Sequence, residues 1–501
     1  MPCFQRHVRW QRFQFPRRVV ALVTLIAIAV VLVPLVTENP RADAAVSVVR
    51  TVRRPARKTP TTRRTVTKRR ATTSSTTSST TSAPVPVISA PATSGPSPLP
   101  TLAPATTVTG PVVSTPLPSP SKYLADALAF IERYWVRRRT VDVRAITDRA
   151  RIIGAPAQVI SDLYPILRQT MKDLGDGHSA FLEPMAARSL LEGTSTGFGL
   201  KVYPADVIFV VPGSPAEQAG IRTLDRIVSF NGKPFLATTA AERAVETAVI
   251  RVNRPPVGEM EFTVRRGELK TAEVPSARAL DGRLGYIELP GSTGTADNES
   301  AFATAGVAVV GSVEQQISPC GWVLDLRRNS GGFPFSMMSV LEPFFPEQVV
   351  GGFVYGDDTR EQLRFSGGKV LIDNRPAWSN AVAARLRDPG VPVAVLISSQ
   401  TASAGEIATI AFIGRPSSRS FGAPTVGVTS ANVGIRMPDN SFLMVTHSYD
   451  LDRAGKVYDG PINADEPVGV EWSVFGTAQD PVLSAASGWL AAQPSCAGRQ
   501  P

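Results

Sequence analysis

The run from Val391 to Ile413 constrains this chain more than any other. Val391-Pro392-Val393-Ala394-Val395-Leu396 is apolar throughout, Ile397 to Glu406 (Ile-Ser-Ser-Gln-Thr-Ala-Ser-Ala-Gly-Glu) is mostly small and polar, and Ile407 to Ile413 is apolar again. An apolar run, small turn residues and a second apolar stretch read as buried strand, tight turn and helix. Ser403 falls at the elbow. A hydroxyl there lies beside unpaired N–H groups at a helix start, where an acyl-transfer enzyme needs its nucleophile and part of its oxyanion hole. A plain N-cap is the alternative role for the same serine.

The chain's 501 residues and 43% hydrophobic content allow two to four domains with sizeable cores. Its +11 net charge resembles a nucleic-acid signal until the charge is located. Residues 1–121 hold 16 Lys and Arg against 2 Asp and Glu, a charge of +14, so residues 122–501 carry −3. The folded part is near neutral, and no nucleic-acid partner is expected.

Arg6, Arg9, Arg12, Arg17 and Arg18 precede a charge-free apolar run, Val19 to Val36. A positive flank before an apolar segment directs export with the amino end inside. A retained membrane anchor is the favoured reading, and cleavage after the small-x-small run Ala42-Asp43-Ala44 is the alternative. Export leaves Cys320 and Cys496 where a disulfide is permitted, with Cys3 on the cytosolic side. There is no clustered His/Cys spacing, so neither metal nor cofactor is expected.

From Ala45 to Ser121 there is no Asp or Glu, only a basic stretch and then Thr, Ser, Pro and Ala. Such a segment cannot bury enough apolar surface to offset its chain entropy and reads as a disordered spacer. Its basic half could rest on anionic lipid or cell-wall polymer, or simply be solvated.

Order begins near Lys122. Tyr123, Ala127, Phe130, Ile131, Tyr134 and Trp135 recur at helical spacing, and a second helix is expected from about Ala157 to Leu174. They lead into Asp173-Leu174-Gly175-Asp176-Gly177-His178-Ser179. From Gly197 to about Val274 the pattern changes to short strands separated by Gly and Pro. Among them lies Ser214-Pro215-Ala216-Glu217-Gln218-Ala219-Gly220-Ile221, a capped short helix ended by glycine. This region resembles a bacterial, circularly permuted PDZ domain. The resemblance implies a peptide carboxyl end bound by strand addition at Phe198, Gly199 and Leu200.

Farther on, Leu284 to Leu289 reads as a strand, Glu299 to about Gln316 as a helix, and Trp322-Val323-Leu324-Asp325-Leu326-Arg327-Arg328-Asn329-Ser330-Gly331-Gly332 as a strand ending in an exposed turn. That turn enters a helix from Phe335 to Phe344. With the Ser403 unit this makes an α/β core in which a second crossover brings the two turns together.

The order of Asp-Gly-His-Ser, PDZ, Leu-Asp-Leu-Arg-x-Asn-x-Gly-Gly and Thr-Ala-Ser-Ala-Gly-Glu-Ile resembles the C-terminal-processing, or tail-specific, serine proteases over roughly residues 122–475. The resemblance implies a crotonase-like α/β core with an inserted PDZ domain and an N-terminal helical segment. The expected organisation is a basic flank (1–18), an apolar span (19–36), a linker (45–121), a helical segment (122–190), the PDZ domain (195–278), the catalytic core (283–475) and a tail (476–501). It implies Ser403 as nucleophile, with oxyanion donors at the N–H of Ala404 and of Gly331 or Gly332.

The base departs from the family pattern. Where typical bacterial members carry Gly-x-Pro-Thr-Phe-Gly-Lys, this chain has Gly422-Ala423-Pro424-Thr425-Val426-Gly427-Val428, and Val428 cannot take a proton. A second branch, similar to the tricorn protease core, uses a Ser-His-Ser-Glu arrangement. That branch implies His178 as base, Ser179 as the second serine and Glu466 as the group orienting the imidazole. Asp465 and Asp176 are alternative orienters, while His447 and Lys456 are alternative bases. The functional expectation is an exported serine endopeptidase that cuts proteins near their C-terminal tails. The alternative is an inactive surface homologue that binds peptides without cutting them.

Overall fold

The computed structural model describes residues 116–345, 347–380 and 383–498. The basic flank, the apolar span and most of the linker lie outside the described residues. Among the described residues no helix is long and apolar enough to cross a membrane.

The amino-terminal part is helical. α1 (Pro120–Tyr134) starts where the Ser119 hydroxyl accepts the Lys122 N–H and Pro120 needs no donor. Its stripe of Tyr123, Leu124, Ala127, Leu128 and Ile131 is buried. α2 (Val143–Gly154) is capped by Asp142 and was not legible from apolar spacing. The expected helix over 157–174 is shorter. A 3₁₀ turn at Ile160–Leu163 precedes α3 (Tyr164–Leu174), because Pro165 lacks the N–H that an interior position would need. Gly175, at φ 67°, ends α3 in the left-handed conformation. The chain then enters β1 (Ala180–Leu182) and α4 (Pro184–Glu192).

The PDZ-like region is joined on by a two-stranded ribbon, β2 (Thr194–Gly197) with β9 (Gly267–Lys270). Between them run β3 (Leu200–Tyr203), β4 (Asp206–Val210), α5 (Pro215–Ala219), β5 (Arg226–Phe230), β6 (Lys233–Pro234), α6 (Ala240–Arg243), β7 (Thr247–Arg254) and β8 (Gly258–Arg265). The sheet order is β3-β4-β5-β7-β8, so β3 is an edge strand. The expected strand over 197–202 is broken at Phe198-Gly199. Gly199 has φ 89°, and a Cβ there would lie 2.1 Å from the Ser214 Cβ.

The core begins with β10 (Ser276–Leu280) and β11 (Leu284–Glu288), then α7 (Ala296–Ile317), β12 (Gly321–Asp325) and α8 (Pro334–Leu341). Next come β13 (Val349–Tyr355), β14 (Arg360–Ser366), β15 (Lys369–Ile372) and β16 (Arg375–Ser379), which form successive antiparallel pairs. β17 (Val393–Ile397), α9 (Ala404–Phe412), β18 (Ser418–Gly422), β19 (Ser430–Arg436), β20 (Phe442–Asp452), β21 (Val457–Tyr458), β22 (Glu466–Pro467) and α10 (Pro481–Ala491) complete it. β11, β12, β17, β18 and β22 run parallel, with β10 antiparallel at one edge.

Strand alternation divides the apolar residues between two faces. Val393, Val395 and Ile397 pack with Trp322, Leu324 and the faces of α8 and α9. Ala394, Leu396 and Val323 pack with Val482, Leu483 and Leu490 of α10. A disulfide joins Cys320, just before β12, to Cys496, just beyond α10, with 5.0 Å between their Cα atoms. The second large sheet, built on β20, bears the amino-terminal helices, whose Leu128, Ile131 and Leu167 meet Val433, Leu443 and Val445.

Candidate active site

β17 delivers the chain into the elbow, and three bonds lock the turn. Ser398 N–H goes to Thr401 Oγ1 at 3.0 Å, Ser398 Oγ to Arg327 O at 2.7 Å, and Thr401 Oγ1 to Leu326 O at 2.9 Å. Ser403 sits at φ 50° and ψ −117°, a costly conformation for a residue with a Cβ, and its hydroxyl makes no capping bond. A simple cap role is therefore not what the serine does. The capping is done by Glu406, whose Oε2 accepts the Ser403 N–H at 2.9 Å.

Glu406 is fully buried and also accepts Val428 N–H at 3.0 Å, Gly427 N–H at 2.8 Å and the Thr425 hydroxyl at 2.5 Å. Burial outweighs these four donors and pushes its carboxyl up to about 7. The stretch that carries Val428 is thus tied to the elbow through one carboxylate. The spacing Ser403-x-x-Glu406 is a capping-box signature, the signal by which this residue could have been found. Asp450 on β20 is fully buried with both carboxyl oxygens unpartnered, and burial followed by repulsion from Glu406 raises it well above the carboxylate range.

The turn after β12 meets the elbow directly. Ala402 N–H donates to Asn329 O at 2.9 Å, and Gly405 lies against the same residue. Asn329 is fully buried and organises the turn, its Nδ2 donating to Leu289 O at 2.9 Å and its Oδ1 accepting the Gly331 N–H at 2.9 Å. Gly331 and Gly332 have φ 102° and 135°, accessible in practice only to glycine. These contacts separate the expected oxyanion donors. The Gly331 N–H is consumed by Asn329, a correction to its candidacy, whereas the N–H groups of Gly332 and Ala404 make no hydrogen bond among the described residues.

His178 is buried, and its Nδ1 lies 2.8 Å from Ser430 Oγ while Nε2 has no partner. Burial lowers the imidazole to about 4, Asp176 opposing only in part, so the ring is neutral at physiological pH. No hydrogen bond joins it to Ser403. The link is indirect: Ser430 N–H donates to Val428 O at 2.8 Å, and Val428 N–H donates to Glu406.

The other expected residues stand elsewhere. Glu466, half-buried on β22, pairs with Arg419 at 2.9 Å on the strand next door and makes no hydrogen bond to His178, whose Nδ1 is bonded to Ser430 and whose Nε2 has no partner. Ser179 donates to Asp176 Oδ2 at 2.7 Å and accepts the Thr446 N–H at 3.0 Å, which makes it a brace for the His178 loop. Asp176 receives the His178 and Ser179 N–H groups and the Trp135 indole N–H. Asp465 accepts from Ser420. His447 Nδ1 bonds to Ala431 O, and Lys456 is exposed with its Nζ over the Tyr458 ring.

Phe198, Gly199 and Leu200 line a cavity of about 640 Å³ at the edge of the PDZ-like sheet. It is walled by Phe230 on one side and by Leu190 of α4 on the other, and it extends to Gly291 and Ser330, beside the Gly331-Gly332 turn. Among the described residues no group of His, Cys, Asp and Glu is placed to hold a metal ion.

Comparison with known proteins agrees with this layout. Residues 283–468 match the family model described as Peptidase family S41, and residues 209–251 match that of the PDZ domain. A chloroplastic carboxyl-terminal-processing peptidase of Arabidopsis thaliana is 27% identical over 390 residues, covering 70% of this chain and 68% of its own. The nisin-resistance protein of Lactococcus lactis is 24% identical over 276 residues, 52% of this chain and 85% of its own. A carboxy-terminal processing protease of Bacillus subtilis is 24% identical over 282 residues, 54% of each chain. In fold, the chain is similar to a solved lipoprotein from Streptococcus agalactiae, with a TM-score of 0.50 at 17% identity, covering 75% of this chain and 98% of that one. Residues 283–468 thus match a family S41 peptidase domain and residues 209–251 a PDZ domain, and the chain is a serine-type peptidase.

Proposed function

We propose that this serine-type peptidase is an extracytoplasmic endopeptidase that cuts proteins near their C-terminal tails, with Ser403 as nucleophile and His178 as base. The observation that carries the reading is the elbow: a strained, uncapped serine whose neighbour Ala404 offers a free N–H, packed against a turn that offers a second at Gly332. Attack by Ser403 Oγ on a peptide carbonyl develops a negative oxygen, and two backbone donors held in place stabilise it with no reorganisation at the moment of reaction.

The proton needs an acceptor, and Val428 supplies none. His178 suits the role because its Nε2 is buried and unpartnered; in the proposed tautomer the Nδ1–H is donated to Ser430 Oγ, 2.8 Å away, which leaves a lone pair on Nε2. Ser430 thus does the orienting that a carboxylate does in other triads. Substrate binding brings the two side chains into reach, as catalytic hydrogen bonds often tighten only in the substrate complex. On the crotonase-like core, the cavity between the β3 edge and α4 takes the substrate's tail as an added strand and leads upstream residues past Gly291 and Ser330 towards Ser403. The apolar run Val19–Val36 tethers the enzyme to the membrane, and the linker spaces it from the surface.

Labelling of the full chain with a fluorophosphonate tests the assignment. Wild type is expected to react at Ser403, Ser403→Ala not at all, and His178→Ala at least about 100-fold more slowly. Labelling that persists in Ser403→Ala, or is unchanged in His178→Ala, contradicts the roles of these two residues. A wild type inert both to the probe and towards tail peptides that it binds would mark a binding homologue instead.

A further inference from the structure

Behind the Gly331-Gly332 turn lies a buried polar network that catalysis by Ser403 and His178 leaves unused. Ser292, on the loop after β11, donates its N–H to Gly331 O at 3.0 Å and accepts the Phe333 N–H on Oγ at 2.9 Å. Gly332 approaches so closely that a Cβ there would lie 2.0 Å from Ser292 O and 2.5 Å from its Oγ. Residues 331–333 are therefore gripped at both ends, and the grip leaves the Gly332 N–H free. Ser336 Oγ on α8 donates to Glu299 Oε2, on the first turn of α7, and the Ser292 hydroxyl lies close enough to the same carboxyl to lower it. All three side chains are buried.

A hydroxyl has one proton and two lone pairs. An ionised Glu299 accepts the Ser292 proton and so aims a lone pair at the Phe333 N–H. A protonated Glu299 must donate to one of its two serines, which frees the Ser292 proton to turn towards Phe333 O, 3.5 Å away.

We propose that Ser292 and Glu299 are positioning residues for the oxyanion turn, Ser292 holding Gly332 so that its N–H faces the reacting carbonyl and the Glu299 carboxylate holding the Ser292 hydroxyl in its accepting orientation. The proposal rests on Gly332 being an oxyanion donor. Burial pushes the Glu299 carboxyl up to about 7, the two serines lowering it only in part. No other charge acts on it. α8 carries no ionisable group, Arg278 on β10 lies over the Tyr286 ring, and Glu288 on β11 is paired with Arg328. On α7 itself, Asp297 and Glu314 contribute nothing to the shift.

The test measures the fluorophosphonate labelling rate of the full chain from pH 5.5 to 8.5, with the folded fraction followed by circular dichroism. Wild type is expected to slow about 10-fold as pH falls through 7, a range in which His178 stays neutral. Glu299→Gln should flatten that profile and lie about 10-fold below wild type at pH 8, with no loss of melting temperature. Ser292→Ala should lie about 10- to 100-fold below at every pH, and Ser292→Thr should recover part of the rate. A Glu299→Gln profile equal to that of wild type would overturn the proposal, as would a Ser292→Ala loss that merely tracks the folded fraction. A second readout is independent of reaction. In ¹⁵N-glycine-labelled Ser403→Ala, the Gly332 amide signal should titrate near pH 7 and stop doing so when Glu299→Gln is added. A wild type that resists the probe while this signal titrates supports the grip and removes only the nucleophile reading, whereas a signal indifferent to pH removes the grip.

Discussion

Replacing Gly405 by alanine tests whether the two turns are in packed contact. In an exposed helix interior this change stabilises by about 1 kcal/mol. Here the new Cβ would lie 2.8 Å from Asn329 O, 2.8 Å from its Oδ1 and 3.0 Å from its Cγ. An ordinary contact needs about 3.5 Å, so the turn must retreat by roughly 0.7 Å. Asn329 cannot yield by changing rotamer, since one contact is its own backbone and its amide is committed to Leu289 O and the Gly331 N–H. Overpacking costs about 1–3 kcal/mol, and stretching the Ala402–Asn329 bond costs up to about 1 more. Subtracting the helical gain leaves a net destabilisation of up to about 3 kcal/mol. Because Asn329 carries Gly331 on its side chain, the displacement passes into the oxyanion turn, where a misplacement of this order slows reaction about 10- to 100-fold. Urea unfolding reads the first quantity and the fluorophosphonate rate the second. A Gly405→Ala protein as stable as wild type and labelled at the wild-type rate would refute both the contact and its role.

Two further outcomes follow from the site. The buried His178 imidazole stays unprotonated down to about pH 4, whereas an unfolded chain's imidazole takes a proton near 6.5. The unfolded state therefore binds more protons in that window, and stability falls as pH drops from about 6.5 to 4 by on the order of 3 kcal/mol. Glu299 and Glu406, raised to about 7, act with the opposite sign, so the informative quantity is wild type minus His178→Gln in urea midpoint at pH 7 and pH 5. That difference should shrink on acidification, and a constant difference would mean that the ring is not buried. Glu466→Ala removes only a half-exposed pair with Arg419 and should change stability by less than about 1 kcal/mol and the labelling rate not at all. A tenfold slower rate would return Glu466 to the site.

What a chain discloses about such a site depends on whether the deciding interaction is local. The strand, turn and helix around Ser403 are legible because apolar runs and small residues set them within about 20 positions, and the Gly331-Gly332 turn is legible because only glycine tolerates its backbone. Which of the two glycines keeps a free N–H is not, since the Asn329 side chain makes that choice in three dimensions. Glu466 fits a motif yet faces away, because position along the chain says nothing of which side of a short edge strand a carboxylate occupies. Cys320 and Cys496 could be named as candidates but not paired, for they are 176 residues apart and meet only once α10 has packed across β12. Ser430, Ser292 and Glu299 left no trace in any motif, since each acts through a residue that is distant in sequence or on another element. The same division explains the departure at Val428. Its backbone N–H still serves Glu406 as a donor, so the elbow is held without a titratable side chain there, and the proposed mechanism needs a proton acceptor that the local sequence does not supply. In the proposed mechanism that group is His178, reached from Val428 through Ser430 and buried with Nε2 unpartnered.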